Sequence, residues 1–343
     1  MKHFVFCIKI SLIILVILFT ASILNTRYQI LDTANAAGVS LGIFPPVIQI
    51  EATAPSDVKT KLQIQNLDTE PVTLSIGTKP FEAAPSQNGE VYYPQDYSPL
   101  LADPFIFDKM QILDADTPID SITLAPQQKK ELTLEISLPN GEPSGDYYFS
   151  VVFISDNNSL TNSTNTVTAG GIATNVLLSV GPKGPTQGNI QEFSAPSFVT
   201  NGPVPFTVKI DNTSTHFITT DGSIEIKNMF GQTVGKVDLL PVNILANSAR
   251  YIPDSLQGPQ AEASPTLKSY FSGLKSPAAV WPETFLLGPY TATLTVALSS
   301  QGPLFRRTIS FFAFPVYPAM AILIIAVILV IIITRVRRIQ NNV

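Results

Sequence analysis

One cysteine occurs in the 343 residues, at position 7. Cys7 lies inside an apolar N-terminal run and too early for a lipoprotein cleavage site, so the chain beyond that run has no thiol. Disulfides, cysteine-based zinc sites and a cysteine nucleophile are excluded there, and stability has to come from packing between sheets. Histidine is nearly as scarce, since His216 is the one that remains past the N-terminal run. A nucleophile triad needs a histidine to take the proton, yet Asn212-Thr213-Ser214-Thr215-His216-Phe217 contains no Gly-x-Ser-x-Gly elbow. His216 reads as a surface turn residue. Charged residues make up 14% of the chain with a net charge of −5, and no basic patch of the kind that binds nucleic acid is present.

Asp108 and Asp114-Ala115-Asp116 are oxygen ligands in principle, but the Asp-x-Asp-x-Asp-Gly spacing of a calcium loop is missing. Strand-end aspartates of this kind are turn formers. No metal and no cofactor are expected. Spacing along a chain says little about carboxylates facing each other across a sandwich, so a cell-wall-acting enzyme with an unrecognised carboxylate site stays open as an alternative. Asn157, Asn162 and Asn212 begin Asn-x-Ser/Thr triplets, which matter where the host glycosylates such sites.

What the chain does have is a run of uncharged, mostly apolar residues, Phe311–Ile333, followed at once by Arg335, Arg337 and Arg338. At about 1.5 Å per helical residue this run exceeds the roughly 30 Å of a bilayer core, and Pro315 and Pro318 stand where a helix can begin. Pro318–Ile333 is the firm part of a single membrane span set at residues 316–334. Basic residues stay on the cytoplasmic side, so 335–343 form a short cytoplasmic tail, the preceding chain lies outside and Tyr317 sits at the outer interface. At the other end, Lys2 and Lys9 precede the apolar run Ile10–Leu24, and Ala34-Asn35-Ala36 follows. That order is a secretory signal over residues 1–36 with cleavage before Ala37; an uncleaved signal anchor is the alternative.

Between these segments no helical period of useful length appears. Short alternating or β-branched runs are separated by Pro, Gly, Asn and Asp, which is the pattern of an all-β ectodomain. Lys61-Leu62-Gln63-Ile64-Gln65 alternates strictly, as a half-buried strand should. Strands are expected at Val47–Ala52, Val58–Gln65, Val72–Ile76, Phe105–Leu113, Ser121–Leu124, Lys129–Leu138, Tyr147–Ser155 and Ile172–Val180. Gly181-Pro182-Lys183-Gly184-Pro185 then interrupts any strand, and a second series runs from Phe206 to Phe314. Two β-sandwiches follow, at residues 37–182 and 183–315. They share an order of features: Lys61–Asn66 with Thr207–Asn212, Leu124-Ala125-Pro126 with Leu245-Ala246-Asn247, and Gly145-Asp146-Tyr147 with Gly288-Pro289-Tyr290. Duplication of one sandwich accounts for this.

Glu82–Asp103, Asp156–Gly170 and Asp254–Trp281 do not read as strands, and loops so long in a compact domain are functional or disordered. Large aromatic groups on such a loop are typical interface anchors, which makes Tyr270, Phe271 and Trp281 the candidate partner-binding residues. Packing back onto their own sandwich is the competing reading for these aromatics.

Ile43-Phe44-Pro45-Pro46-Val47-Ile48, Leu62-Gln63-Ile64-Gln65-Asn66, Asn88-Gly89-Glu90-Val91-Tyr92-Tyr93, Leu124-Ala125-Pro126 and Gly145-Asp146-Tyr147-Tyr148 follow the order of the first domain of the WxL-interacting proteins, bacterial cell-surface proteins. The second half is similar to their second domain in Val208-Lys209-Ile210-Asp211-Asn212, Gly222-Ser223-Ile224-Glu225-Ile226, Phe230-Gly231 and Ala246-Asn247-Ser248-Ala249-Arg250. The resemblance implies two immunoglobulin-like domains, the first associated with peptidoglycan and the second with another surface protein, on one C-terminal span. Asp254–Trp281 departs from that pattern. The first half also resembles the amino-terminal domain of pilus chaperones, but Gly42–Ile50 lacks the basic residue with which those proteins hold a carboxylate. The expected protein is a non-enzymatic surface binding or scaffolding module; the extracellular part of a signalling complex is a further alternative.

Overall fold

The computed structural model describes residues 39–94, 104–155, 170–254, 278–300 and 302–340. The first half contains β1 (Leu41–Phe44), β2 (Val47–Ala52), β3 (Ser56–Asn66), β4 (Val72–Pro80), β5 (Glu82–Ala83), β6 (Val91–Tyr92), β7 (Met110–Asp114), β8 (Thr117–Pro118), β9 (Ser121–Leu124), β10 (Lys129–Leu138), β11 (Gly145–Ser155) and β12 (Gly171–Val180). These strands make two facing sheets, β1-β3-β10-β7-β8 and β2-β12-β11-β4-β9.

Alternation decides which side chains meet between the sheets. On β3, Leu62 and Ile64 are buried, while Lys59 and Lys61 point outward and pair with Glu135 and Glu131 of β10 at 2.8 and 2.7 Å. On β11, Tyr147, Phe149, Val151 and Phe153 all turn inward and join Leu134 and Ile136 of β10 in one core. Tyr147 opens that strand and its hydroxyl donates back to the Pro143 carbonyl at 2.9 Å, the corner that immunoglobulin-like sandwiches place at this point.

The second half repeats the plan with β13 (Gly188–Ser194), β14 (Phe198–Val199), β15 (Val204–Asn212), β16 (Ile218–Asn228), β17 (Thr233–Asp238), β18 (Val242–Ile244), β19 (Ser248–Tyr251), β20 (Ala279–Trp281), β21 (Gly288–Ala297) and β22 (Leu304–Ala313). One sheet is β13-β15-β19, with β20 also on β15; the other is β14-β22-β21-β16-β17, with β18 also on β16. In both sandwiches the first strand is divided between the sheets. Its first part pairs antiparallel (β1 on β3, β13 on β15), and its second part pairs parallel with the last strand (β2 on β12, β14 on β22). Phe206, Val208 and Ile210 of β15 face Ile224, Ile226, Leu294 and Val296 in a second core, separate from the first.

Among the described residues the fold is therefore all-β, two tandem immunoglobulin-like sandwiches, followed by the helix α1 (Val316–Gln340). Within α1, Val316–Thr334 is long and apolar enough to cross a membrane, and none of it is buried against protein.

Three expectations are corrected. Phe105–Leu113 is not one strand: Pro104–Lys109 is a 3-10 helix and β7 follows. A strand would send Ile106 and Phe107 to opposite faces, whereas the tighter turn lets Ile106 bury fully while Phe107 lies edge-on to Phe149 at 5.9 Å. Glu82–Asp103 is not free of strands, because β5 and β6 form a small hairpin there, and Asp254–Trp281 ends in a strand, because β20 pairs with β15. The aspartates at 114 and 116 do shape a turn: Ala115 and Asp116 have φ of 46° and 68° in a two-residue hairpin loop, and Asp114 bonds Lys130 at 2.8 Å.

Candidate functional site

Of the three side chains that sequence analysis proposed, Trp281 alone lies among the described residues. Tyr270 and Phe271 lie outside the described residues. Trp281 is 5% exposed and packs edge-on against Tyr290 at 5.6 Å within the second core, so it turns its surface to its own sandwich. Its strand β20 is anchored by Asp254, whose carboxylate accepts from the Val280 amide at 2.7 Å. Asn157 and Asn162 also fall outside the described residues, while the amide of Asn212 is buried and fully bonded, which leaves it unavailable to a glycan.

The motifs that do converge lie at the junction of the two sandwiches. Phe81 at the end of β4, Leu177 of β12 and Phe217 form a small buried cluster there, flanked by Val91, Tyr148 and Leu245. Beside it, Asp146 gathers three donors. One carboxylate oxygen accepts from Ser179; the other accepts from the Tyr148 hydroxyl at 2.6 Å and from the Phe217 amide at 2.5 Å, across the junction. Tyr148 in turn accepts from the Ala246 amide at 3.2 Å. Burial pushes the Tyr148 phenol well above its ordinary range, and the neighbouring Asp146 charge adds to this, so the hydroxyl stays a donor.

Lys183 closes one side. It bonds Glu51 at 2.7 Å and holds its ammonium 4.2 Å from the centre of the Phe217 ring. His216, next to Phe217, is 5% exposed rather than on the surface. Its Nε2 lies 3.5 Å from the Thr186 hydroxyl and its Nδ1 is buried without a partner. Desolvation lowers its pKa; Lys183 acts in the same direction, while Asp146 and Glu51 oppose. A cleft of about 810 Å³ opens here, with Glu51, Lys183, His216 and Asp221 on its walls.

On the other side, the segment between β5 and β6 meets β19. The Tyr251 amide donates to the Gln87 carbonyl at 2.9 Å, and Gln49 donates to Asn243 at 3.1 Å. Gly89 faces the Arg250 guanidinium so closely that a Cβ there would lie 2.1 Å from Nη2. Arg250 donates to the Asn243 carbonyl at 2.8 Å, and its Nε is buried without a partner, as is Asn88 Oδ1. Gln87, Glu90, Asn175 and Arg250 line a cavity of about 140 Å³. Among the described residues no group of three or more His, Cys, Asp or Glu could hold a metal. The arrangement joins the two sandwiches through the Asp146 carboxylate and the Lys183 ammonium, with the Arg250 guanidinium set against Gly89.

Sequence reasoning singled out Asn88-Gly89 and Ala249-Arg250 as separate motifs and did not bring them together. Asp146 carried a signal that went unused: it fills the repeat position where the second sandwich has Pro289.

No family model matches the chain, and no curated protein matches it. Among solved structures it is similar to the E. coli chaperone DraB (9% identity, 78% of this chain and 96% of that one, TM-score 0.34) and to the class 5 fimbriae chaperone CfaA (12%, 80% and 100%, TM-score 0.32). It is also similar to the Salmonella enterica SafA pilin in complex with the SafB chaperone (7%, 79% and 97%, TM-score 0.32). At these identities and scores the likeness says nothing of function.

Proposed function

We propose that this is a non-enzymatic, membrane-anchored surface protein whose two sandwiches form a binding or scaffolding body outside a bacterial membrane. The observation that carries the reading is α1, whose Val316–Thr334 stretch meets no protein on any face. A helix apolar all round needs either a core or a bilayer to cover it. The basic residues after it favour a cytoplasmic tail, and residues 1–36 serve as a cleaved signal. The junction adds support, since bonds from Asp146, Tyr148, Gln49 and Gln87 hold the sandwiches together as one body. In line with the resemblance to the WxL-interacting proteins, the first sandwich associates with peptidoglycan and the second with another surface protein; no cofactor takes part.

Membrane fractionation and cosedimentation test the two levels separately. The protein should resist alkaline extraction from membranes, begin at Ala37 and lose its ectodomain to protease added to intact cells. Residues 37–315 should cosediment with purified cell-wall sacculi. Release by alkali would end the anchor reading, and recovery of a chain beginning at Met1 would replace the cleaved signal by a signal anchor. Absence of cosedimentation would remove peptidoglycan and leave the anchor standing.

A further inference from the structure

The end of the second sandwich from which α1 departs carries a rim of large apolar side chains exposed in the described structure. Phe230, in the turn between β16 and β17, is 79% exposed and Phe285, before β21, is 63% exposed. Phe198 and Phe312, on paired strands, stack on each other at 6.1 Å and remain open on their outer side. Leu287 and Met229 are exposed as well, with Met229 reaching over Gly288. Register places them together. Ala313 at the end of β22 pairs with Gly288 at the start of β21, and Tyr290 pairs with Asn228, which precedes the Met229–Gly231 turn. Scattered exposed apolar residues are ordinary, but a contiguous set at one end of a domain marks a contact.

Chain continuity identifies what makes that contact. Phe314 is still fixed to the sandwich through its amide, which donates to the Val199 carbonyl at 2.9 Å. α1 starts at Val316, and the Ala319 amide already bonds the Pro315 carbonyl at 3.1 Å. Pro315 alone separates sandwich from helix, with its φ restricted by the ring. Two residues reach about 7 Å when extended. The 19-residue stretch Val316–Thr334 is about 28 Å long, just the thickness of a hydrocarbon core, so it has no spare turn with which to lift Val316 away from the membrane. The rim is thereby held at the depth of the lipid headgroups, where aromatic side chains are favourably placed.

We propose that this rim docks onto the outer leaflet of the bilayer, with Phe230 and Phe285 inserted at the headgroup–acyl boundary, so that the second sandwich rests on lipid rather than standing free on its anchor. The proposal rests on the reading of α1 as a membrane span. β21, at 10 residues, puts about 30 Å between the rim and the opposite end, where Ser300 is exposed and the first sandwich joins.

The test uses the full chain with Cys7→Ser, reconstituted in vesicles of equal parts phosphatidylcholine and phosphatidylglycerol, with a nitroxide on one introduced cysteine: Phe230→Cys, Phe285→Cys, Val327→Cys or Ser300→Cys. Labels at 230 and 285 should be relaxed by oxygen in preference to a water-soluble nickel chelate, as the label at 327 is, and the label at 300 should show the reverse. If 230 and 285 behave like 300 while 327 reports bilayer, the rim does not touch lipid and the proposal is overturned with the span intact. If 327 also reports water, the span fails and takes the rim with it. Dipolar broadening at 230 that disappears on dilution with unlabelled protein would assign the rim to a second copy of the chain and overturn lipid docking. Both phenylalanines are exposed, so unchanged melting of the labelled variants is expected and confirms that each reading comes from the folded protein.

Discussion

Asn66 and Asn212 do the same work in the two sandwiches, bond for bond. The Nδ2 of Asn66 donates to Glu70, Leu124 and Ala125 carbonyls, and its Oδ1 accepts from the Asp68 amide. The Nδ2 of Asn212 donates to His216, Ile244 and Leu245 carbonyls, and its Oδ1 accepts from the Ser214 amide. In each case the asparagine ends a strand, turns its own chain back at the second and fourth residues, and ties that turn to a distant one. The distant turns also match, since Gln127 and Asn247 both take left-handed backbone angles, φ 59° and 51°. A carboxamide is required because the corner needs a donor and an acceptor on one short side chain.

Replacing either asparagine by alanine leaves buried carbonyls unpaired, at a cost of about 2–3 kcal/mol in denaturant unfolding. Aspartate should be no better, since it brings acceptors to face acceptors. A loss below about 0.5 kcal/mol, the size of an ordinary surface substitution, would show that water replaces the corner.

Trp281→Ala should destabilise the protein by about 3–5 kcal/mol, as for a buried aromatic truncated in a core. The indole lies under Gly235, where a Cβ would come within 2.4 Å of Nε1, and beside Tyr290, so a cavity forms rather than a new surface. Near-unchanged melting would mean that the side chain is not core.

Much of the sandwich was legible because period-two patterns report burial directly. Leu62 and Ile64 are inward as the alternation of Lys61–Gln65 demands, and the paired features of the two halves mark the matched asparagine corners. β13 escaped for a definite reason: a bulge between Ile190 and Glu192 shifts the register, so Ile190 and Phe193 pack against one core although three positions apart. Beyond the repeat position of Asp146, the junction was not legible. A hydrogen bond joins Asp146 to Phe217 and close packing sets Gly89 against Arg250, residues that alternation assigns to separate units and that only the docking of two sheets brings together.

Gly89 and Gly141 form a matched pair for testing the junction. Both have left-handed backbones, φ +90° and +85°, but a Cβ at Gly141 meets nothing within 4 Å while one at Gly89 strikes Arg250. Alanine at 141 should cost about 1–2 kcal/mol through the backbone alone, and alanine at 89 a further ~1 kcal/mol, because the flexible Arg250 side chain has to move aside and strain its bond to the Asn243 carbonyl. In a double-mutant cycle Arg250→Ala should recover most of the extra loss. Equal costs at the two glycines would detach Arg250 from the junction.

Stability should depend on pH through His216. Its folded pKa lies below the ordinary value of 6.5 because burial disfavours the imidazolium. Above about pH 6.5 both folded and unfolded chains carry a neutral ring, and the full contribution is present. As pH falls below that value the unfolded chain takes up the proton first, so stability declines until the folded pKa is passed and then levels off. His216→Gln should flatten that interval in pH-dependent unfolding; an unchanged profile would assign the slope to other groups.

The divided first strand has a mechanical consequence. In each sandwich the second part of that strand runs parallel to the last, β2 along β12 and β14 along β22. Tension applied between the two ends of the chain pulls one member of each pair toward its N-terminus and the other toward its C-terminus. The backbone bonds between them are then loaded in shear, all at once, instead of opening one after another from an end. A chain held by lipid at its C-terminal end and by a partner near its N-terminal end would meet that tension with the geometry that resists it best.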